Sequence, residues 1–350
     1  MTDTGKQGFY AVKANVEELE QKIRTHRKKI ALSIAAVIII AAVFTATAGI
    51  YFTYKEYDGY ETISKIERSD SEATTYKSFA GNILRYNNDG AFYTDASDHL
   101  IWNQAFEMQN PVSDICGDYA AIADLQGNLI YMMHTSGMQG QIKTAHPIEA
   151  VSMARQGTTA VLTQADGASY LEVYNKAGDI LASGEIHIAN SGYPLDIALS
   201  SDARKLAVSI LDISKGTAKT TVAFYNFGSA GQNEIDNMVG SYSYDDTIIP
   251  DIHFLSDDKM IAFGDNRVLF FEGRQSPKET STLKLEREIK SIFYNEEFFG
   301  LVSGEKDSGK KHKMEIYDMT GKLRLTQNFK MSYQEIEFLD NHEICIRSEY

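Results

Sequence analysis

The carboxylates that lie closest together in the sequence are the first candidates for chemistry. Asp245 and Asp246 precede Asp251, and Asp257 is followed by Asp258. Carboxylate oxygens bind hard cations such as calcium, but a calcium loop needs several oxygen ligands at regulated spacing, and neither group has that spacing. We therefore interpret these residues as turn residues, and the sequence predicts no metal site.

Histidine is the second kind of candidate ligand. The chain has eight histidines, including His134, His146, His187 and His253. They form no His-Glu-x-x-His motif and no paired spacing that would build a zinc site. Each is interpreted as a surface or strand residue.

Motifs for covalent or phosphate chemistry are missing from the sequence. There is no Gly-x-Ser-x-Gly nucleophile elbow and no glycine-rich phosphate loop. The sequence therefore predicts no catalytic residue and no cofactor. Catalysis by residues that are distant in sequence stays open, because a fold can bring them together.

A basic segment is the last candidate site. Residues 305–313, EKDSGKKHK, contain four lysines and His312 within an otherwise acidic region. Such a cluster can contact an anionic partner such as a wall polymer, whereas a long solvated hairpin is the simpler interpretation.

Two recurring patterns indicate the elements that must position any such site. VYNKAGDIL at residues 173–181 matches IYDMTGKLR at 316–324, and DIALSSDARKLAV at 196–208 matches DIHFLSDDKMIAF at 251–263 and, more loosely, DICGDYAAIA at 114–123. Alternating Val, Ile, Tyr and Phe favour strands, and the Asn, Asp and Gly positions favour tight turns. The sequence therefore predicts an all-β domain.

The spacing of these units predicts the architecture. Units of about four strands that recur every 35 to 55 residues or so are typical of propeller blades. We predict a β-propeller of seven blades, at residues 79–108, 109–145, 146–188, 189–247, 248–286, 287–331 and from 332 onward. The last has two evident strands, so the strands near Asn82 and Ala91 would have to complete it; two packed sandwiches are the alternative fold.

An apolar stretch precedes this domain. Residues 30–52, IALSIAAVIIIAAVFTATAGIYF, contain no charge and as a helix are long enough to cross about 30 Å of hydrocarbon. We expect Ser33, Thr45 and Thr47 to hydrogen-bond back to the helix. A cleaved signal peptide is the competing interpretation, because Ala46-Thr47-Ala48 has the form of a cleavage site.

The flanks of this stretch predict its orientation. Five basic residues precede it, so the N-terminus is expected in the cytoplasm: Lys22, Arg24, Arg27, Lys28 and Lys29. The predicted organisation is a cytoplasmic amphipathic basic arm at 1–29, a transmembrane helix at 30–52, an extracytoplasmic stalk at 53–78 and the propeller at 79–350. The apolar face of the arm can associate with a second copy or simply adjoin the membrane.

Charge and cysteine content limit the partners. Residues 1–29 have seven Lys or Arg and four Asp or Glu. Residues 30–350 therefore have 27 Lys or Arg and 44 Asp or Glu. The acidic remainder, with a net charge of -17, argues against nucleic-acid binding. Cys116 and Cys345 are far apart in sequence and are interpreted as free buried thiols, although a disulfide cannot be decided from sequence.

Some of these motifs resemble those of known families. The unit Ser-x-Asp-x-x-x-Leu-Ala at residues 200–207, and its looser copy at 256–262, resembles the blade motif of periplasmic and quinoprotein-like propellers. Quinoprotein dehydrogenases carry a Gly-x-x-x-Trp motif in most blades, whereas this chain has a single tryptophan, Trp102. The resemblance therefore implies the fold without quinone-dependent oxidation.

The layout as a whole is similar to an uncharacterised family of membrane-anchored propeller proteins in Gram-positive bacteria. The similarity includes the segment NILRY at 82–86 that leads into NDG at 88–90. It implies a single-pass protein of the cell envelope, with an extracellular propeller and no assigned activity.

The function expected from these observations is non-enzymatic. The propeller would act as a binding or scaffold module for a protein or a cell-envelope polymer. An envelope enzyme, a hydrolase or lyase with its site in the propeller channel, is one alternative. A transmembrane sensor that signals through the N-terminal arm is the other.

Overall fold

A computed structural model describes residues 16–54, 74–95, 98–214, 216–304, 312–339 and 343–348. The chain divides into two units, Met1–Tyr57 and Asp58–Tyr350. The predicted stalk lies mostly outside the described residues, as do most of the predicted arm and residues 305–311 of the basic segment.

The first unit contains one helix, α1, which covers Val16–Tyr54. It includes both the end of the predicted arm and the whole apolar stretch. The hydroxyls of Ser33, Thr45 and Thr47 donate to the carbonyls of Lys29, Ala41 and Val43 at 3.0, 3.0 and 2.9 Å, which confirms the expected back-bonding.

Within the described residues, α1 is the one helix long and apolar enough to cross a membrane. The candidate span is Glu20–Ala48, which has 29 residues. It is identified by length and composition alone, and a signal sequence can have the same length and composition. The side chains from residue 20 to residue 47 are all exposed within their own unit.

The second unit is a β-propeller. Its described residues form six four-stranded sheets and one two-stranded sheet, and in each sheet the strands are antiparallel and adjacent in sequence order. Blades one to three consist of β1 (Thr75–Phe79), β2 (Asn82–Asn87), β3 (Gly90–Thr94) and β4 (Leu100–Ala105); β5 (Pro111–Cys116), β6 (Tyr119–Asp124), β7 (Leu129–His134) and β8 (Gly137–Lys143); β9 (Ile148–Met153), β10 (Thr159–Ala165), β11 (Ala168–Tyr174) and β12 (Ile180–His187).

Blades four to six follow the same order. They consist of β13 (Tyr193–Leu199), β14 (Lys205–Asp212), β15 (Lys219–Asn226) and β16 (Met238–Asp245); β17 (Asp251–Phe254), β18 (Lys259–Phe263), β19 (Arg267–Glu272) and β20 (Lys278–Lys284); β21 (Ile289–Tyr294), β22 (Phe298–Gly304), β23 (His312–Asp318) and β24 (Leu323–Phe329). A short helix α2 (Ile188–Ser191) follows β12, and two 3-10 turns (Gly231–Asn233 and Ile235–Asn237) connect β15 to β16.

The prediction of seven blades is wrong. Six of the predicted intervals correspond to four-stranded blades, but the seventh contains only β25 (Glu335–Phe338) and β26 (Ile344–Arg347). The strands near Asn82 and Ala91 do not complete it, because they are β2 and β3 of blade one. The repeat spacing predicted a full blade where the described residues contain two strands.

The two-stranded sheet lies between blades six and one. Strand β25 contacts both β21 and β1. Lys77 of β1 forms an ion pair with Glu337 of β25, and the Ser78 hydroxyl donates to the Leu339 carbonyl at 2.8 Å. These contacts join residues more than 250 positions apart and close the ring without a seventh blade.

The core consists of apolar clusters between consecutive blades. Between blades four and five, for example, the ring centroids of Phe224 and Phe271 lie 5.1 Å apart, and Tyr242 packs against both. The last strands of the blades are largely exposed, as the strand β20 shows. Alternation therefore buries one blade face against the next and leaves the outer rim in solvent.

Gly300 tests the packing of blade six. It pairs with Phe293 across β21 and β22, and a Cβ atom at Gly300 would lie 2.0 Å from Cζ of that ring. We expect Gly300→Ala to lower the free energy of unfolding by about 1–3 kcal/mol, because the ring must leave its position. Thermal and denaturant unfolding would measure the change.

Gly184→Ala is the matched control, since nothing lies within 4 Å of a Cβ added there. It should leave stability unchanged or slightly higher. Equal effects of the two substitutions would contradict the packing described for blade six.

Candidate functional site

The central channel is lined by the first strand of each blade. Strand β5 contacts β9, β9 contacts β13, and β13 contacts β17; on the other side β21 contacts β25, which contacts β1. Side chains that these strands direct toward the axis therefore come together from all parts of the chain.

Three aspartates occupy equivalent places in this ring. Asp114 lies in β5, Asp196 in β13 and Asp251 at the start of β17. These are the first residues of the three aligned segments at 114–123, 196–208 and 251–263, each of which begins with Asp-Ile. We call this pattern the DI repeat. Each is partly buried, and His253 follows Asp251 by two positions, so it lies on the same face of β17.

Two of the aspartates join neighbouring blades. Oδ2 of Asp114 accepts a hydrogen bond from the Met153 backbone N at 2.6 Å, and Oδ2 of Asp196 accepts one from the Ile252 backbone N at 2.8 Å. Between these junctions the Ser152 hydroxyl accepts from the Leu199 backbone N at 2.9 Å. The same type of bond thus joins blades two to three, three to four and four to five.

Burial dominates the electrostatics of the channel carboxyls. Burial raises the pKa of Asp196 well above its usual value, and repulsion from Asp251 adds to the rise. Burial also raises the pKa of Asp114 and of Asp251, while the nearby His253 opposes the rise at both. The carboxyls therefore hold their protons more tightly than they would in water.

Two further groups complete the charged lining. Burial lowers the pKa of Lys77, against the attraction of Glu335, Asp114 and Asp251. Burial raises the pKa of Tyr294 well above its usual value, and the three aspartates raise it further. The Tyr294 ring also packs against His253, with ring centroids 4.5 Å apart.

An ion pair lies at one mouth of the channel. Nη2 of Arg155, after β9 of blade three, is 3.7 Å from Oε1 of Glu296, after β21 of blade six. Blades four and five separate these two blades on one side of the ring, and blades one and two with the two-stranded sheet separate them on the other, so the pair spans the channel mouth. The side chains are 55% and 77% exposed, which makes the attraction weak and easily screened.

The acidic candidates from the sequence do not come together. Asp245 ends β16 and Asp246 lies in the exposed turn that follows, while Asp251 faces the channel. Asp258 accepts a hydrogen bond from the Lys205 ammonium at 3.0 Å. The described residues contain no group of three His, Cys, Asp or Glu side chains placed to hold a metal ion.

The four histidines named from the sequence lie in different environments. His134 and His146 pack on Tyr119 and Tyr170, each with ring centroids 4.7 Å apart. His187 lies 3.6 Å from Glu185 at the end of β12, and His253 faces the channel.

Part of the basic segment is not a solvated hairpin. His312 is buried at the start of β23 and packs against Phe329 and Tyr333, and burial lowers its pKa. Lys313 is paired with Glu315. Both cysteines are free and half-buried, and burial raises the pKa of both thiols.

Sequence reasoning missed most of the channel residues. In the sequence Asp114 and Asp196 stand out only as repeat positions, and no pattern marks Lys77 or Tyr294. The repeat alignment contained the signal, because equivalent positions of propeller blades converge on the axis.

The described residues thus define a six-bladed β-propeller with a charged channel, preceded in the chain by one apolar helix. The chain belongs to the family of unknown function DUF5711, which matches residues 53–350. This confirms an uncharacterised family with a propeller domain. No curated protein matches the sequence.

Several solved structures are similar in fold. KlAtg21, in its complex with the coiled-coil of AgAtg16, is 11% identical, with 72% of this chain and 83% of that chain covered and a TM-score of 0.50. Hydrazine synthase from Kuenenia stuttgartiensis is 11% identical, with 75% and 80% covered and a TM-score of 0.49. BamB from Moraxella catarrhalis is 12% identical, with 78% and 93% covered and a TM-score of 0.42. At such identities the likeness concerns the fold alone.

Asp251 tests the electrostatics of the channel. Its carboxylate has no hydrogen bond among the described residues, so Asp251→Asn removes charge without removing a junction. An acid with a raised folded pKa loses stabilisation as pH rises from its unfolded pKa, about 3.9, through its folded pKa. We therefore expect the variant to be more stable than the natural chain at neutral pH, with the difference vanishing in acid.

Urea unfolding at a series of pH values would measure this difference. Asp89→Asn, on the exposed turn between β2 and β3, is the control and should show no such trend. A variant that is less stable than the natural chain at neutral pH would contradict the raised pKa.

Proposed function

We propose that this protein is a membrane-anchored, extracytoplasmic binding or scaffold module without enzymatic activity. The observation that carries the proposal is the use of the channel carboxylates. Asp114 and Asp196 accept backbone hydrogen bonds from the next blade, so they hold the ring together rather than face a substrate. A rigid ring with variable loops is suited to presenting a binding face.

The helix α1 supports the anchoring part of the proposal. Glu20–Ala48 has the length and composition of a membrane span, and the basic residues that precede residue 30 favour a cytoplasmic N-terminus. With the propeller outside the cell, the partner would be a protein or an envelope polymer of a Gram-positive bacterium.

An envelope enzyme is the second candidate, and one observation favours it. The Asp251 carboxylate has no hydrogen bond within the described residues, and it lies beside His253, whose ring packs on Tyr294. Groups with perturbed pKa values that cluster in a cleft are frequent at catalytic sites.

Membrane anchoring can be tested in α1. Replacing both Ile38 and Ile39 by lysine should release the chain into the soluble fraction, because each charge at a span centre costs about 2.5–3.5 kcal/mol. The measurement is fractionation with carbonate extraction, and the control replaces both residues by leucine. A lysine variant that stays in the membrane pellet would contradict a spanning helix.

Binding and orientation can be tested in intact cells. Protease added outside should remove an epitope at Tyr350 and spare one at Met1. Crosslinking should capture the same partner on the natural chain and on the double variant Asp251→Asn, His253→Gln, because binding does not use the channel.

Either of two results would reject the proposal. One is that the natural chain captures no partner. The other is that the folded double variant loses its function in cells, and this result would favour the enzyme.

A further inference from the structure

A polar cleft lies between blades four and five, where the channel strands β13 and β17 turn into β14 and β18. Its volume is about 690 Å³, within the range of about 300–1,000 Å³ typical of small-ligand sites. It is lined by the turns β13–β14, β17–β18 and β19–β20 and by the end of β15 with the loop that follows. We call it the blade 4–5 cleft.

The wall of this cleft is built from both blades. Lys205 is 2% exposed, and its Nζ donates to Oδ1 of Asp258 and to the carbonyl of Arg274, both at 3.0 Å. Nδ2 of Asn226 donates to the Gln275 carbonyl at 2.8 Å. These bonds hold the two turns of blade five in fixed positions against blade four.

Two ion pairs neutralise most of the charge in the cleft. Lys205 is paired with Asp258, and Nε of Arg204 lies 3.8 Å from Oδ2 of Asp202. The guanidinium of Arg274 and the carboxylate of Asp257 remain. Neither has a hydrogen bond or an ion pair with the described residues, and they do not pair with each other, so their charged atoms are more than 4.0 Å apart.

We propose that the blade 4–5 cleft binds a short zwitterionic peptide. Its terminal carboxylate contacts the Arg274 guanidinium, and its terminal ammonium contacts the Asp257 carboxylate. The two protein charges are of opposite sign, lie on separate turns and lack internal partners, which matches a ligand with opposite charges at its two ends.

The lining disfavours other ligand classes. A phosphate would meet the Asp257 carboxylate, and the Lys205 ammonium is already engaged by Asp258. A metal cation would be repelled by the Lys205 ammonium. Aromatic side chains, on which sugar rings stack, are missing from the described lining of the cleft.

This inference rests on the proposed binding function and identifies the ligand class and the site. The experiment is calorimetric titration of the full chain in detergent with alanine, dialanine, trialanine and tetraalanine. We expect binding to depend on peptide length, because Lys205 holds in place the two turns that carry Asp257 and Arg274.

Blocked peptides assign each end of the ligand. Arg274→Gln and Asp257→Asn should each weaken binding by about tenfold, the effect of losing one charged hydrogen bond. Acetylating the peptide should weaken binding to the natural chain but not to Asp257→Asn. Amidating the terminal carboxylate of the peptide should weaken binding to the natural chain but not to Arg274→Gln. Arg287→Gln and Asp89→Asn, on exposed positions outside the cleft, should bind as the natural chain does.

Three results would overturn the inference. They are no binding of any alanine peptide at millimolar concentration, equal binding of free and blocked peptides, and binding of inorganic phosphate or N-acetylglucosamine that depends on Arg274. If partner capture in cells persists in these cases, only the assignment of the cleft fails. If the natural chain captures nothing in cells, the proposed function itself fails.

Discussion

The open backbone edge of each first strand is the constraint on which the propeller depends. Such a strand pairs with one neighbour in its own blade, and its other edge presents N–H groups toward the preceding blade. In three successive junctions, a side chain of the preceding blade accepts one of these N–H groups. The acceptors are Asp114, Ser152 and Asp196, and the ring depends on them because apolar packing cannot satisfy a backbone donor.

Using carboxylates for this purpose has an electrostatic cost. Three acidic groups are held near one axis, and burial together with mutual repulsion raises the pKa of Asp196 in particular. Lys77 and His253 compensate part of this charge. Two of the three channel carboxyls, Asp114 and Asp196, are therefore there because of how the blades are joined, and a perturbed pKa at these two is not in itself a sign of catalysis.

The blades were predictable from sequence because they depend on local patterns. Alternation and turn residues located six blades, and the DI repeat aligned the three aspartates that meet in the channel. The seventh blade was wrong because residues 335–347 continue the spacing but contain only two described strands. The blade 4–5 cleft was not predictable, because Lys205 is 53 positions from Asp258 and 69 from Arg274, and no local pattern encodes such distances.

The ion pair between Arg155 and Glu296 gives the channel mouth a property that the blade junctions lack. The junctions are hydrogen bonds to backbone groups inside the protein, where dissolved ions have little influence. The pair at the mouth is exposed, and mobile ions screen attraction between exposed charges. Added salt therefore weakens the contact across this mouth more than it weakens the hydrogen bonds that join the blades.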